Sequence, residues 1–409
     1  MVMSMLQHFA YLDNAASTAL VGQARAAMES AWARPGNSSS LHGSGRRARR
    51  ILEESRESIA RDLGARPSEV IFTSGGTESD NLALKGVYAA RRRDDDRRRT
   101  VIVSAVEHHA ILDPAQWLAD EHGANLVVLP VDDTGVVSLD ALREVLVADA
   151  ESVAVISVMW ANNEVGTVQP IADVARLGAE YGIPVHSDAI AAVGHVPVDF
   201  AASGLSAMSI AGHKFGGPQG AGALLLRRDV ACTPLLQGGG HERDLRSGTQ
   251  DVAAAAGMAA ALHWSLQHRD EHTAHIVALR ERLCDVLTEV GGVAVNGALG
   301  RGADAALPGV VHVSFDGCEG DSLLMLLDAK GIECSTGSAC TAGVAAASHV
   351  LLAMGLDKAT ARGSLRFSFA HDNDDDDVTA VARVIDEVTE RARAAGTLSA
   401  SGARTGGTR

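Results

Sequence analysis

The chain has 409 residues, 46% of them hydrophobic and 21% charged, enough to bury a large core and to divide into two or so domains. Lys and Arg total 36 and Asp and Glu 51, and the formal charge of −15 gives a field that repels phosphate backbones and anionic lipid. That balance argues against nucleic acid as a direct partner. No apolar run approaches the roughly 18 residues of a membrane span. The start, MVMSMLQHFAYLDN, lacks a basic leader and meets Asp13 too early for a signal peptide. Five scattered cysteines without a CxxC pair point to a reducing cytoplasm rather than to zinc or a disulfide framework, and no metal is expected.

In chain order, YLDNAAST reads as extended, and GNSSSLHGSGRRARR as a Gly- and Ser-rich loop feeding a helix with Ile51, Ile59 and Leu63 at helical spacing, stopped at Gly64. Val70 to Phe72 reads as a strand. Gly75 and Gly76 then open the backbone before a helix starting at Thr77, whose N–H groups and dipole suit a phosphate. RRRDDDRRR at 91–99 is a solvated helix end of cancelling charge. VIVSAVEHHAIL, LVVLPVD and VAVISVMWANNEVG are strands that run out into polar residues, and of His108 and His109 at most one faces a site. The alternation from Val70 to about Arg228 predicts a doubly wound, mostly parallel sheet with helices on both faces.

Two runs, IPVHSDA and LSAMSIAG, deliver Asp188 and Lys214 at points where strand gives way to loop. Ligands of open parallel sheets bind beyond the carboxyl ends of the strands, so an acid and an amine there are placed for chemistry. Pyridoxal phosphate needs that pair: a lysine for the Schiff base and a carboxylate to keep the ring nitrogen protonated. On these residues alone, a surface loop ending in Gly-Gly-Pro is the competing reading.

Beyond Lys214, GALLLRR is another apolar run, and QGGGHERDLRSGT is a loop too rich in Gly and charge to be buried. An Ala-rich helix from Val252 to about His268 leads out of the large domain. From about His275 the pattern becomes α+β. A long helix carries Leu279, Leu283 and Leu287, and VVHVSF, DSLLMLLDAKG and SLRFSFA follow as strand, helix and strand. A last amphipathic helix carries Val381, Val384, Ile385 and Val388, and the tail SASGARTGGTR has the composition of a disordered segment.

Nine stretches, YLDNAAST, SGGTESDNLALKG, VEHHA, MWANNEVG, HSDA, GHKFGGP, GGGHERDLRSGT, STGSACTAG and SLRFS, come in an order that resembles the group I cysteine desulfurases, the NifS/IscS type of the class V aminotransferase group. The resemblance implies a PLP-dependent transferase of fold type I. Its large domain would span residues 16–264, and its smaller α+β domain would be formed by 1–15 and 265–395, with 396–409 a disordered tail. It implies a cytoplasmic homodimer that converts L-cysteine to L-alanine and leaves a persulfide on Cys340, to be passed to an acceptor such as an iron-sulfur scaffold. By resemblance, Lys214 is the Schiff-base lysine and Asp188 pairs with the ring nitrogen. His108 stacks on the ring and moves protons. Gly76, Thr77 and His213 cradle the phosphate, Asn163 lies near the ring oxygen and the substrate, Thr249 reaches the partner's phosphate, and Arg366 clamps the substrate carboxylate.

A thiol of ordinary pKa is only about 3% thiolate at pH 7, so Cys340 needs a proton acceptor, and His108 is placed for that role by the resemblance. Cys232, Cys284, Cys318 and Cys334 read as packing residues; an exposed Cys334 would allow a disulfide with Cys340. Three positions depart from the family. Ala191 stands where it has Gln, Ala211 where it has Ser or Thr, and Ala346-Ala347 where it often has Glu-Pro or Gln-Pro. These departures imply weaker cofactor binding, and they leave two alternatives open: a selenocysteine lyase-type relative, and a weakened desulfurase-like scaffold subunit.

Overall fold

The computed structural model describes residues 9–337 and 347–405, with side chains described as far as residue 395. Cys340 and Ala346 therefore lie outside the described residues.

The largest sheet is built from β2 (Val70–Thr73), β3 (Thr100–Ser104), β4 (Asn125–Leu129), β5 (Val153–Ser157), β6 (Val185–Asp188), β7 (Ala207–Ala211) and β8 (Gly222–Leu226). They lie side by side in the order β2-β8-β7-β6-β5-β3-β4. The β7–β6, β6–β5, β5–β3 and β3–β4 pairs are parallel, whereas β8 runs antiparallel to both β2 and β7. The linker between β7 and β8, residues 212–221, is too short to carry a helix back across the sheet, so β8 can only return beside β7 in the opposite sense. From β3 the chain winds outward to β4, and from β5 it winds the other way through β6 and β7. The β3/β5 boundary is thus the switch point of the sheet, and ligands bind beyond the carboxyl ends there. Strands β3, β5, β6, β7 and β8 are buried along their whole length, which is why they read as continuous apolar runs.

A second sheet orders β12 (Ser364–Ser368), β10 (Val310–Phe315) and β9 (Val293–Asn296), all antiparallel. A two-stranded ribbon pairs β1 (Ala10–Tyr11) in parallel with β11 (Ile332–Glu333). These strands enclose their own core, in which Leu12, Val313, Phe315, Leu365 and Phe367 are buried.

The two helices expected on either side of His268 are one, Val252–Glu289, of 38 residues. Its first half buries Ala254, Met258 and Leu262 in the core under the large sheet, and its second half buries Ile276, Leu279, Leu283 and Leu287 in the other core. The polar stretch Gln267–Thr273 reads as a break, yet it holds no Gly or Pro, and nothing in it stops a helix that has packing on both sides. The expected boundary at residue 264 falls inside this helix. A Cβ at Gly257 would lie 2.6 Å from Met28, so the helix Gly22–Trp32 can approach only because that residue is glycine. The last helix divides, into Asp375–Ala382 with a capping box from Asp374 and Asp377, and Ile385–Thr405. The latter runs past residue 396 into the stretch whose composition suggested disorder.

The loop expected to stay out of the core does not. Glu242 is 5% exposed and takes both Nη groups of Arg56, at 2.7 and 2.9 Å, together with the Phe72 N–H and the Gln250 amide. Glu242, Arg243 and Asp244 all hold positive φ, a conformation that costs non-glycine residues energy and is retained by those contacts.

Candidate functional site

Beyond the carboxyl ends of the large sheet lies a cavity of about 400 Å³, within the range of cofactor pockets. Lys214 and Asp188 both line it, as do His108, Gly76, Thr77, Asn163, His213 and Arg366. Every described site residue named from the sequence is therefore gathered there except Thr249. Thr249 lines a separate cavity of about 140 Å³ beside Thr73, Ser74 and Arg246, and is not brought to Lys214 of its own chain. A larger cavity, about 640 Å³, lies between the Gly43–Asp62 helix and the Gly239–Gln250 loop and shares no group with the lysine site.

Each side chain arrives by a different route. Asp188 is the last residue of β6, and its Oδ1 accepts the Ile190 N–H at 2.9 Å. Lys214 closes the single turn after β7, and its Nζ donates to the carbonyls of Ala15 (2.5 Å) and Ala16 (3.1 Å). Burial, followed by the charge of Arg366, lowers the lysine to about 8. His108 is the N-cap of the helix His109–His122, where its Nδ1 accepts the Ala110 N–H at 3.0 Å. Its ring opens onto the cavity, yet the surrounding protein and then the Lys214 charge press it down to about 4. It is thus a neutral base at pH 7. His109, the first residue of that helix and not on a strand as expected, turns to Asp113.

Three buried carboxyls stand behind the cavity, and the sequence reading assigned a role only to Asp188. Asp80 lines the cavity with no measurable exposure, and neither of its oxygens makes a hydrogen bond of normal geometry among the described residues. His186 Nε2 lies 3.7 Å from it. Burial, then the charge of Asp188, raises Asp80 well above the ordinary carboxylate range. Glu107 is raised to about 8 by burial, although its Oε1 accepts from the Ser104 hydroxyl (2.5 Å) and the Met159 N–H (2.8 Å). Asp188 is raised only to about 6, because the Ile190 N–H and the Lys214 charge offset its burial. Asp188, at about 6, is therefore ionised at neutral pH, whereas Glu107, at about 8, is largely protonated. For Glu107 the signal was a carboxylate where the apolar run of VIVSAVEHH gives way to polar residues; Asp80, inside the helix Gly76–Asp94, gave no such signal.

At the other end, Gly75 is the N-cap of the 19-residue helix Gly76–Asp94 and supplies no side-chain hydrogen bond to its first N–H groups. A Cβ at Gly76 would lie 2.2 Å from Ile190 Cδ1, so any larger residue there would push the Ile190 side chain aside. Ala211, the expected hydroxyl position, lines the cavity with its Cβ 3.6 Å from the same point. Ala191 lines both the cavity and an annex of about 30 Å³ beside His195 and Lys214. His213 is lowered to about 4, by burial and then by Lys214.

Arg366 sits on β12 with 4% exposure. Its Nη1 donates to the Asn163 carbonyl (2.8 Å) and its Nη2 to Asp13 Oδ1 (2.6 Å). Asn163 stands in a turn fixed by Asn162, whose side chain accepts the N–H groups of Glu164 and Val165. Cys334 is buried, and its thiol is pushed far above its ordinary value, so the exposure that a disulfide with Cys340 would need is not there. Among the described residues no cluster of His, Cys, Asp and Glu is arranged to hold a metal ion, and no helix is long and apolar enough to cross a membrane.

Comparison with known proteins identifies the family. The model of the family described as "Aminotransferase class-V" matches residues 10–381. An IscS-like cysteine desulfurase of Mycobacterium tuberculosis is 57% identical over 395 residues, 96% of this chain and 99% of its own. The cysteine desulfurase IscS of Dictyoglomus turgidum is 39% identical over 94% of this chain and 95% of its own. A solved structure of a NifS-like protein superimposes with a TM-score of 0.85 at 35% identity, covering 94% of this chain and 100% of that one. The fold, the ordered motifs and these likenesses agree: the chain belongs to the class-V aminotransferase family and, within it, to the cysteine desulfurases of the IscS/NifS type.

Proposed function

We propose that the cavity binds pyridoxal phosphate and that the chain removes sulfur from L-cysteine, leaving L-alanine and a persulfide on Cys340. One observation carries this reading: a lysine at about 8 and an ionised aspartate, at the ends of neighbouring strands, open into one cavity with a neutral histidine and a buried arginine. The residues present fit the cofactor. Lys214 would hold it covalently, Asp188 would pair with its ring nitrogen, and the N–H groups after Gly75 with Thr77 and His213 would take its phosphate. When bound, the group withdraws electrons from the substrate's α-carbon. His108, neutral at pH 7, accepts the proton that makes Cys340 a thiolate. The thiolate attacks the substrate sulfur, the carbon–sulfur bond breaks with its electron pair left on the amino acid, and protonation gives alanine. Arg366 holds the substrate carboxylate through donors that its two protein contacts leave free.

A homodimer completes this reading. Thr249 lines a cavity apart from its own Lys214, and Leu41, Leu235 and Leu236 are exposed apolar side chains. The acceptor is a sulfur-carrying protein such as an iron-sulfur scaffold, and the thiol chemistry suits a reducing compartment such as the cytoplasm. The test is to incubate the purified protein with L-cysteine and reductant, recording the visible spectrum, alanine and sulfide, and to repeat with Cys340→Ala. Cofactor absorbance and alanine from the wild type, with alanine lost in the variant, are the expected results. A wild type without cofactor absorbance overturns the reading, and undiminished alanine from Cys340→Ala removes the cysteine from it.

A further inference from the structure

We infer that Asp13 is a positioning residue for substrate recognition: its carboxylate sets the plane of the Arg366 guanidinium, so that the remaining donors meet the carboxylate of the incoming amino acid. The inference rests on the proposed role of Arg366.

Arg366 reaches its place on a long side chain. Its fork has five donors, and their directions are useful only if the plane is fixed. One contact, Nη1 to the Asn163 carbonyl, fixes one corner. The contact from Nη2 to Asp13 Oδ1, at 2.6 Å, fixes a second and thereby the plane. It is also charge-assisted, and stronger than the contact to a neutral carbonyl. Nε is buried without a partner among the described residues, and each Nη group keeps one further proton, so two donors remain for a ligand.

Asp13 itself is held by contacts that do not involve its carboxylate. The segment containing it is paired in parallel with β11 and bridges to Ser368 at the end of the Arg366 strand. Asn14 Nδ2 lies within hydrogen-bond reach of the Tyr11 and Ser368 carbonyls and of Asn373 Oδ1. The Tyr11 hydroxyl donates to the carbonyls of Asp13 and Ser17. The backbone is therefore fixed before the side chain acts, and replacing the carboxylate leaves the fold's own contacts in place. The same segment supplies the Ala15 and Ala16 carbonyls that hold Lys214, and the Asp13 charge raises that lysine's pKa against the opposing effect of Arg366. One short segment thus aims both cationic groups of the site.

The experiment uses the cofactor-loaded enzyme and two ligands that differ in one group: L-alanine, which has the carboxylate, and cysteamine, which has none. Binding of each is read from the change in cofactor absorbance, alongside kcat and KM for L-cysteine. Asp13→Ala is expected to weaken L-alanine and raise the KM for L-cysteine by about tenfold to a hundredfold, with kcat within about threefold and cysteamine binding unchanged. Asp13→Asn, which keeps an acceptor without the charge, falls between, and it stands in should the alanine variant fail to fold. In Asp13→Ala/Arg366→Ala, L-alanine binds no more weakly than in Arg366→Ala alone, since Asp13 acts through the arginine. Equal weakening of both ligands by the Asp13 variants, or no weakening of L-alanine, overturns the inference. Arg366→Ala by itself judges the underlying reading: if it weakens both ligands alike, the carboxylate clamp is wrong; if it weakens only L-alanine while the Asp13 variants change nothing, the clamp stands and only the positioning role falls.

Discussion

The two ends of the cavity are built on opposite plans. At the end proposed for the cofactor ring, each functional group is fixed by a protein contact: Asp188 by the Ile190 N–H, Lys214 by two carbonyls, Arg366 by Asp13 and Asn163, with the buried carboxyls of Asp80 and Glu107 behind them. At the end proposed for its phosphate, the site is backbone, one exposed threonine, the half-buried His213 and an alanine where a hydroxyl was expected. Chemistry that depends on pKa values demands the dense end, because neighbours set proton affinity. An anion can be held by N–H groups and a helix dipole alone, so the other end tolerates loss of a side chain.

The comparison predicts large effects at the ring end and modest ones at the phosphate end. Lys214→Ala should lower alanine formation on the order of a thousandfold or more and abolish covalent cofactor absorbance. Asp188→Asn, which keeps shape but loses charge, should cost about a hundredfold to ten-thousandfold in kcat. Steady-state kinetics with the visible spectrum checks both, and a tenfold effect from either would show that the ring end is not the seat of the chemistry. At the other end, Ala211→Ser should tighten the cofactor by about tenfold or somewhat more, one added hydrogen bond to a charged group, measured as a dissociation constant. Ala191→Gln should alter cofactor affinity and absorbance together, since it fills the space beside the annex.

The lysine gives a pH test. With its pKa lowered to about 8, roughly a tenth of Lys214 is the neutral amine at pH 7, far more than for an ordinary lysine. Capture of the cofactor by the cofactor-free protein should therefore accelerate as pH rises and level off above about 8. Asp13 opposes the lowering, so Asp13→Asn should move that midpoint to lower pH. A midpoint near 10 in the wild type would mean that burial and Arg366 do not act on the amine as the geometry implies.

Much of this site was legible because its residues stand where periodicity stops. Asp188 and Lys214 end fully buried strands, and a polar residue there breaks a pattern that can be counted. Asp13 and Asp80 were not legible as functional, since a carboxylate near a strand or helix start has an ordinary explanation in capping. Glu242 misled for the opposite reason. Gly-rich, charged sequence reads as solvated, and only its partner Arg56, 186 residues away in the chain, shows that it is buried. The long helix was missed because its apolar face belongs to one core in its first half and another in its second, so no single stripe runs its length.

The smallest expected effect concerns Glu107, and it separates proton affinity from shape. Burial holds this carboxyl at about 8 in the folded protein, against about 4.5 unfolded, so between those values the folded state binds the extra proton. Stability from this group is therefore present below about pH 4.5 and is lost as pH rises through 8. Glu107→Gln keeps the acceptor for Ser104 and Met159 and removes the titration. Thermal unfolding of both proteins at pH 5 and pH 9 should show the wild type losing stability relative to the variant across that window, by at most about 4 kcal/mol, with groups that Glu107 does not influence cancelling in the difference. Asp80 should also titrate lower in the variant, because the Glu107 charge is one of the influences that raise it. A difference that stays constant with pH would mean that Glu107 is already ionised in the folded chain, and that the dense end of the site is wetter than its burial implies.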